Sequence, residues 1–200
     1  STPSNSSAAS DVYKRQAVDI EKLYDNVMNR YKYGGLDTPG LYLDETTLRT
    51  CYYHRRLFAQ LAKELIKQGD HVRARKVLTY AEQAVPAYNV PEIYESGSFD
   101  IATAYAALGE KTKAVTLFNH LIAESEDYIN WAFSLGNGRT GMMQNDCLYK
   151  FWQWNAYNER MKEIDKESYE ASNRRFEEKY ALFTLSLIHI SEPTRHLRIS

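Results

Sequence analysis

Cysteine is nearly missing from this chain: Cys51 and Cys147 are the only two in 200 residues, which excludes the disulfide-dense class of small secreted domains. The pair leaves two readings open, one bridge if the domain is exported, or two separate buried thiols. Proline and glycine are also scarce, at 5 and 9 residues, so collagen-like and low-complexity architectures are ruled out. Charge of one sign is lacking too. The formal net charge is −1 and no Lys/Arg cluster stands out, whereas a nucleic-acid surface needs concentrated positive charge to neutralise phosphates. No run of about 18 apolar residues occurs before residue 185, so this segment is expected to make no membrane contact of its own.

Both ends read as foreign to the fold. Residues 6–16, SSAASDVYKRQ, match the in-frame translation of a transposase-type sequencing adapter, and residues 185–195, LSLIHISEPTR, match that of its partner. The plainer alternative is a natural Ser-rich linker at one end and a short apolar strand or helix end at the other. We therefore expect residues 1–16 and 185–200 to be adapter-derived and residues 17–184 to form a single helical-repeat domain. That domain is expected to be an internal or near-terminal piece of a longer gene.

What the sequence does contain is a repeat. With Gly69 at the turn of a helix–turn–helix unit, Phe58, Leu61, Ala62 and Leu65 line one helix, Ala74, Leu78 and Ala81 the next, and Pro86 closes the unit. With Gly109 at the same turn, Ile101, Ala102 and Tyr105 match the first helix, and Ala114, Phe118 and Leu121 the second. Small residues at Ala62, Ala74, Ala102 and Ala114 let the paired helices approach, while larger ones fill the spaces between them. The expected fold is all-α, with tetratricopeptide-like antiparallel helical hairpins in two repeats, about 55–88 and 95–128, and flanking N- and C-terminal helices. The two turns lie 40 residues apart, more than the usual ~34, and the excess falls in residues 88–93, where Pro91 disfavours helix at Val90.

Flanking helices are expected over residues 18–31 and, capped by Asp44, from there to Gln68. A short separate helix is expected over 128–135, stopped by the Gly-rich stretch 136–141. Residues 144–184 read as one helix or two, the second half more exposed.

Chemistry is sparse. Residues 136–141, GNGRTG, match the dinucleotide fingerprint formally, but that motif needs a preceding strand, and none is expected; a flexible interhelical loop is the reading. His54, His71 and His120 lack zinc-motif spacing, and no Ser or Cys lies in a nucleophile signature. Glu124, Glu126 and Asp127 read as a solvated helix end rather than an acid–base pair. No catalytic residue, metal or cofactor is therefore expected. In a repeat of this type the first helices line the concave face, which places Arg56, Ala59, Lys63, Phe99, Thr103 and Ala106 there; Arg56, Lys63, Phe99 and Thr103 are the candidate binding residues for a protein or peptide. The aromatic stretch 149–157, YKFWQWNAY, is the rival surface, unless it is buried against the last repeat.

Residues 24–35 (YDNVMNRYKYGG), 42–56 (YLDETTLRTCYYHRR) and 88–98 (YNVPEIYESGS), in this order, resemble the C-terminal soluble portion of a family of large bacterial multi-pass membrane proteins described as protein O-mannosyltransferase-like glycosyltransferases. The resemblance implies a parent embedded in the inner membrane, with the sugar-donor site and its acidic catalytic residue upstream of this piece. It also implies that this domain lies on the periplasmic side, where it holds an acceptor protein or partner. The competing expectation is a free-standing cytoplasmic adaptor that binds a peptide, with no link to glycosyl transfer.

Overall fold

The reason the chain folds back at Gly69 and again at Gly109 is visible in the hydrogen bonds of the two turns. At the first, the Gly69 and Asp70 amides donate to the carbonyls of Ile66 and Leu65, each at 2.9 Å; at the second, Gly109 and Glu110 donate to Ala106 and Tyr105, at 3.0 and 2.9 Å. Both glycines sit at φ +78°, a conformation that ends helices and that a side chain would strain. The two turns are equivalent residue for residue, so the repeat inferred from sequence is present in the backbone.

The computed structural model describes residues 19–136 and 142–191, and among these every regular element is helical. Helix α1 (Ile20–Asp25) continues into a π-helical turn (Asn26–Arg30). The first hairpin is α2 (Glu45–Lys67) and α3 (His71–Ala84), the second α4 (Ser98–Ala107) and α5 (Lys111–Ser134), and the third α6 (Gln144–Ile164) and α7 (Lys166–Ser191). The fold is all-α and tetratricopeptide-like. Asp44 caps α2 as expected, its carboxylate accepting from the Thr46 and Thr47 amides. The alanines expected at helix contacts, Ala62, Ala74, Ala102 and Ala114, are fully buried.

One expectation changes and one alternative is decided. Residues 128–135 are not a separate helix, because nothing between Lys111 and Ser134 breaks the backbone and α5 runs through without interruption. Residues 144–184 form two helices, parted at Asp165, whose carboxylate accepts from the Ser168 hydroxyl at the start of α7. Helix α7 also carries on past Thr184 to Ser191, into the segment read as adapter-derived.

Packing follows the length of α5. Helix α2 packs on α3 and on α4, as stacked repeats require, and α4 packs on α5; α6, however, lies mainly on α5 and only lightly on α4. The second half of α5 supplies the surface, with Ser125, Ile129 and Ala132 buried in it. Trp154, Tyr157 and Met161 of α6 are fully buried, and the Trp154 indole donates to Ser172 of α7 at 2.8 Å. In α7 only Ser172 and Phe183 are buried among the described side chains, which makes it the more exposed half of the pair.

Between the hairpins the chain wraps around one side chain. Arg55, on the buried stripe of α2 and 4% exposed, donates through Nη1 to the Pro91 carbonyl (2.6 Å) and the Ser96 hydroxyl (3.0 Å). Through Nη2 it donates to the carbonyls of Val85 (3.0 Å) and Val90 (2.6 Å). Asn89 extends this order outward, its amide donating to the Leu36 and Thr38 carbonyls of the loop before α2. At the end of the linker Gly97 takes φ +85°, and a Cβ there would lie 2.8 Å from Arg56 Cγ and 3.2 Å from its Cα, so only glycine lets α4 start this close to α2.

Replacing Arg55 by Met keeps the volume but strips the buried carbonyls of Val85 and Val90, and the part-buried one of Pro91, of their donors. We expect Arg55→Met to cost roughly 3–5 kcal/mol and Arg56→Met, one residue away on the exposed side, about 1 kcal/mol or less. Urea unfolding measures both, and coincident midpoints would refute the role given to Arg55.

Candidate binding groove

Because the linker stands between the hairpins, α3 and α5 do not form a packed pair, and the space between them is open. One cavity, of about 480 Å³, opens there, and a second, of about 730 Å³, adjoins it between the linker and α5; the two share Ala87, Glu92 and His120 along their common edge. The first is walled by Leu78 and Ala81 of α3, Ile101 of α4 and Leu117 of α5. Its polar rim is already engaged: the Tyr105 hydroxyl donates to Glu82, and Lys113 donates to the same carboxylate at 2.9 Å. The second cavity is different in kind. Glu92, Glu124 and Asp127 line it together with the rings of Tyr128 and Trp131, whose centroids lie 5.4 Å apart.

The wall contributed by α5 follows from helical spacing. His120, Ala123, Glu124, Asp127, Tyr128 and Trp131 recur every three or four residues, so they share a face of α5, distinct from its buried stripe of Leu121, Ile122, Ser125, Ile129 and Ala132. That periodicity was the available signal for this groove. The expectation of a solvated helix end at Glu124–Asp127 is corrected accordingly: these residues lie in the middle of α5, where Glu124 accepts from Lys150 at 2.8 and 2.9 Å and Glu126 pairs with Arg175 at 3.1 Å.

None of the four residues expected on the first-helix face lines these two cavities. Arg56 donates to the Glu95 carbonyl and packs on Gly97. Phe99 sits among the rings of Tyr94, Phe118 and Tyr157, at 5.6 to 6.0 Å. Thr103 donates back to the Phe99 carbonyl at 2.9 Å, and Lys63 is exposed. The rival stretch 149–157 divides by helical face. Phe151, Gln153, Trp154 and Tyr157 are buried, whereas Tyr149 and Trp152 are about half exposed and stack at 5.7 Å. The structure brings the two candidates into contact, since Phe99 meets Tyr157 at 5.8 Å, and ties the stretch to the linker, where Trp152 meets Tyr94 at 5.3 Å and Gln153 donates to the Glu95 carboxylate at 2.9 Å.

Of the remaining candidates, the GNGRTG stretch lies outside the described residues beyond Gly136. His54 is half-buried among Tyr31, Tyr33 and Tyr53, His71 opens α3 and His120 borders both cavities. Cys51 and Cys147 are separate buried thiols. Among the described residues no three His, Cys, Asp or Glu side chains converge as metal ligands, and no helix is long and apolar enough to cross a membrane. Compared with known proteins, the chain matches no family model, no curated protein and no solved structure.

Burial sets the titration of the groove and core. It pushes the Arg55 guanidinium down to about 10, against the pull of Glu92. It pushes the phenols of Tyr33, Tyr105 and Tyr157 well up, helped at Tyr105 by the bond to Glu82 and at Tyr157 by Glu124 and Glu95. The thiols of Cys51 and Cys147 are raised by burial as well. A raised phenol or thiol keeps its proton in the folded state after the unfolded chain has released it, so its stabilising contribution is complete below the unfolded pKa, near 9 for thiols and 10 for phenols, and is lost as pH rises further. Arg55 acts in the opposite sense above about pH 10, where the unfolded chain holds the proton that the folded one sheds, but it is one group against five. Urea midpoints should therefore hold steady from about pH 7 to 8.5 and fall steeply above about pH 10. A midpoint that rises through that range would show the phenols to be accessible.

Proposed function

We propose that this domain is a binding module without catalytic residues of its own, holding an extended segment of another protein in the groove that α5 forms with α3 and the linker. The observation that carries the reading is the continuity of the two cavities across Ala87, Glu92 and His120. A single trough with an apolar half and a charged, aromatic half suits a peptide that places successive side chains in different environments. Two of the three stretches that carry the resemblance bear on the same place: residues 42–56 contribute Arg55, and residues 88–98 form the linker. In keeping with that resemblance, the parent is a membrane glycosyltransferase-like protein, and the domain positions an acceptor protein or partner for it on the periplasmic side.

The test is selection of displayed peptides on the full chain, followed by affinity measurement against Ala87→Trp, which places an indole at the junction of the cavities, and Lys63→Ala on the first-helix face. We expect at least about tenfold weaker binding to Ala87→Trp, an unchanged melting temperature, and no effect of Lys63→Ala. Full binding by Ala87→Trp would remove the groove from the account.

A further inference from the structure

The second cavity carries more chemistry than a peptide trough needs. Glu124 is neutralised by Lys150, which bonds both its oxygens, but Glu92 and Asp127 form no ion pair within 4 Å among the described residues. Arg55, which feels the charge of Glu92, spends both terminal nitrogens on backbone carbonyls and the Ser96 hydroxyl. A further carboxylate, Asp146, stands by the Tyr128 hydroxyl. Beside these negative groups lie two rings, and Trp131 is 49% exposed. Lys150, which does not line the cavity, places its ammonium 5.7 Å from the centre of the Tyr128 ring, so Trp131 is the ring left for an incoming cation.

We infer that this cavity is a pocket for an arginine side chain of the bound segment, with the guanidinium against the Trp131 ring and its N–H groups donating to Glu92 and Asp127; the inference rests on the groove reading above. Arginine fits better than lysine, because its planar head stacks on an indole and spreads its donors between two carboxylates. The adjoining apolar cavity receives an aliphatic side chain of the same segment, so the recognised sequence pairs one aliphatic residue with one arginine close by.

The experiment uses small probes, which need no knowledge of the segment. N-acetyl-arginine amide and its uncharged analogue N-acetyl-citrulline amide are titrated into the 15N-labelled full chain, and the Trp131 indole N–H resonance is followed. The arginine probe should give a saturable shift, and citrulline should bind at least about fivefold more weakly. Asp127→Asn, at an exposed position, should narrow that difference to about twofold, Glu92→Gln with Asp127→Asn should abolish it, and about 0.5 M salt should weaken arginine alone. Equal binding of the two probes, or no Trp131 response to either, overturns the arginine pocket. The groove reading then stands if Ala87→Trp still weakens binding of the selected peptides by about tenfold or more, and falls with the pocket if it does not.

Discussion

A positive charge sealed inside the linker between two hairpins governs this structure. The Arg55 guanidinium has no carboxylate bonded to it; its charge is solvated by the carbonyl dipoles of Val85, Val90 and Pro91 and by the Ser96 hydroxyl. Burying a cation is costly unless its donors are met, and those carbonyls, in a segment with little regular structure, would be equally costly without donors. Each requirement satisfies the other. The linker therefore has one compact way to run between α3 and α4, and the long repeat period is a wrapped connection rather than slack chain.

The groove is a consequence of that wrapping. In a tighter repeat the second helices come together; here residues 85–93 fill the floor between α3 and α5 and leave the upper walls apart. The length of α5 then extends the opening, because its second half is long enough both to bury one face under α6 and to present Asp127, Tyr128 and Trp131 on another. Fold and candidate site thus share residues, and the wall of the site is as rigid as the helix that forms it.

Much of the scaffold was legible because it obeys local rules. Gly69 and Gly109 mark turns that need a left-handed residue, Asp44 marks a helix start, and the paired alanines mark close helix contacts. The groove was not legible for two reasons. A repeat pattern directs attention to the first helices, where Arg56 and Phe99 turn out to be engaged by Gly97 and by neighbouring rings. Arg55 and Arg56 also look alike in sequence; what separates them is one helical step of about 100°, which sends the first inward on the stripe of Cys51 and Phe58. Likewise Glu124, Glu126 and Asp127 resemble a frayed end until the uninterrupted run to Ser134 is taken at its full length. The aromatic half of α6 was read as either a surface or a buried face, whereas the single stretch supplies both, with Trp154 buried and Trp152 exposed.

The seating of the third hairpin on α5 has an architectural result. A solenoid lengthens along one axis only while every added unit finds the pair of supports that the previous one found. After α5 the support changes, because α6 has little of α4 to rest on. The third hairpin thus does not inherit the footing that the second found on the first, and its place is set by the length of a single helix.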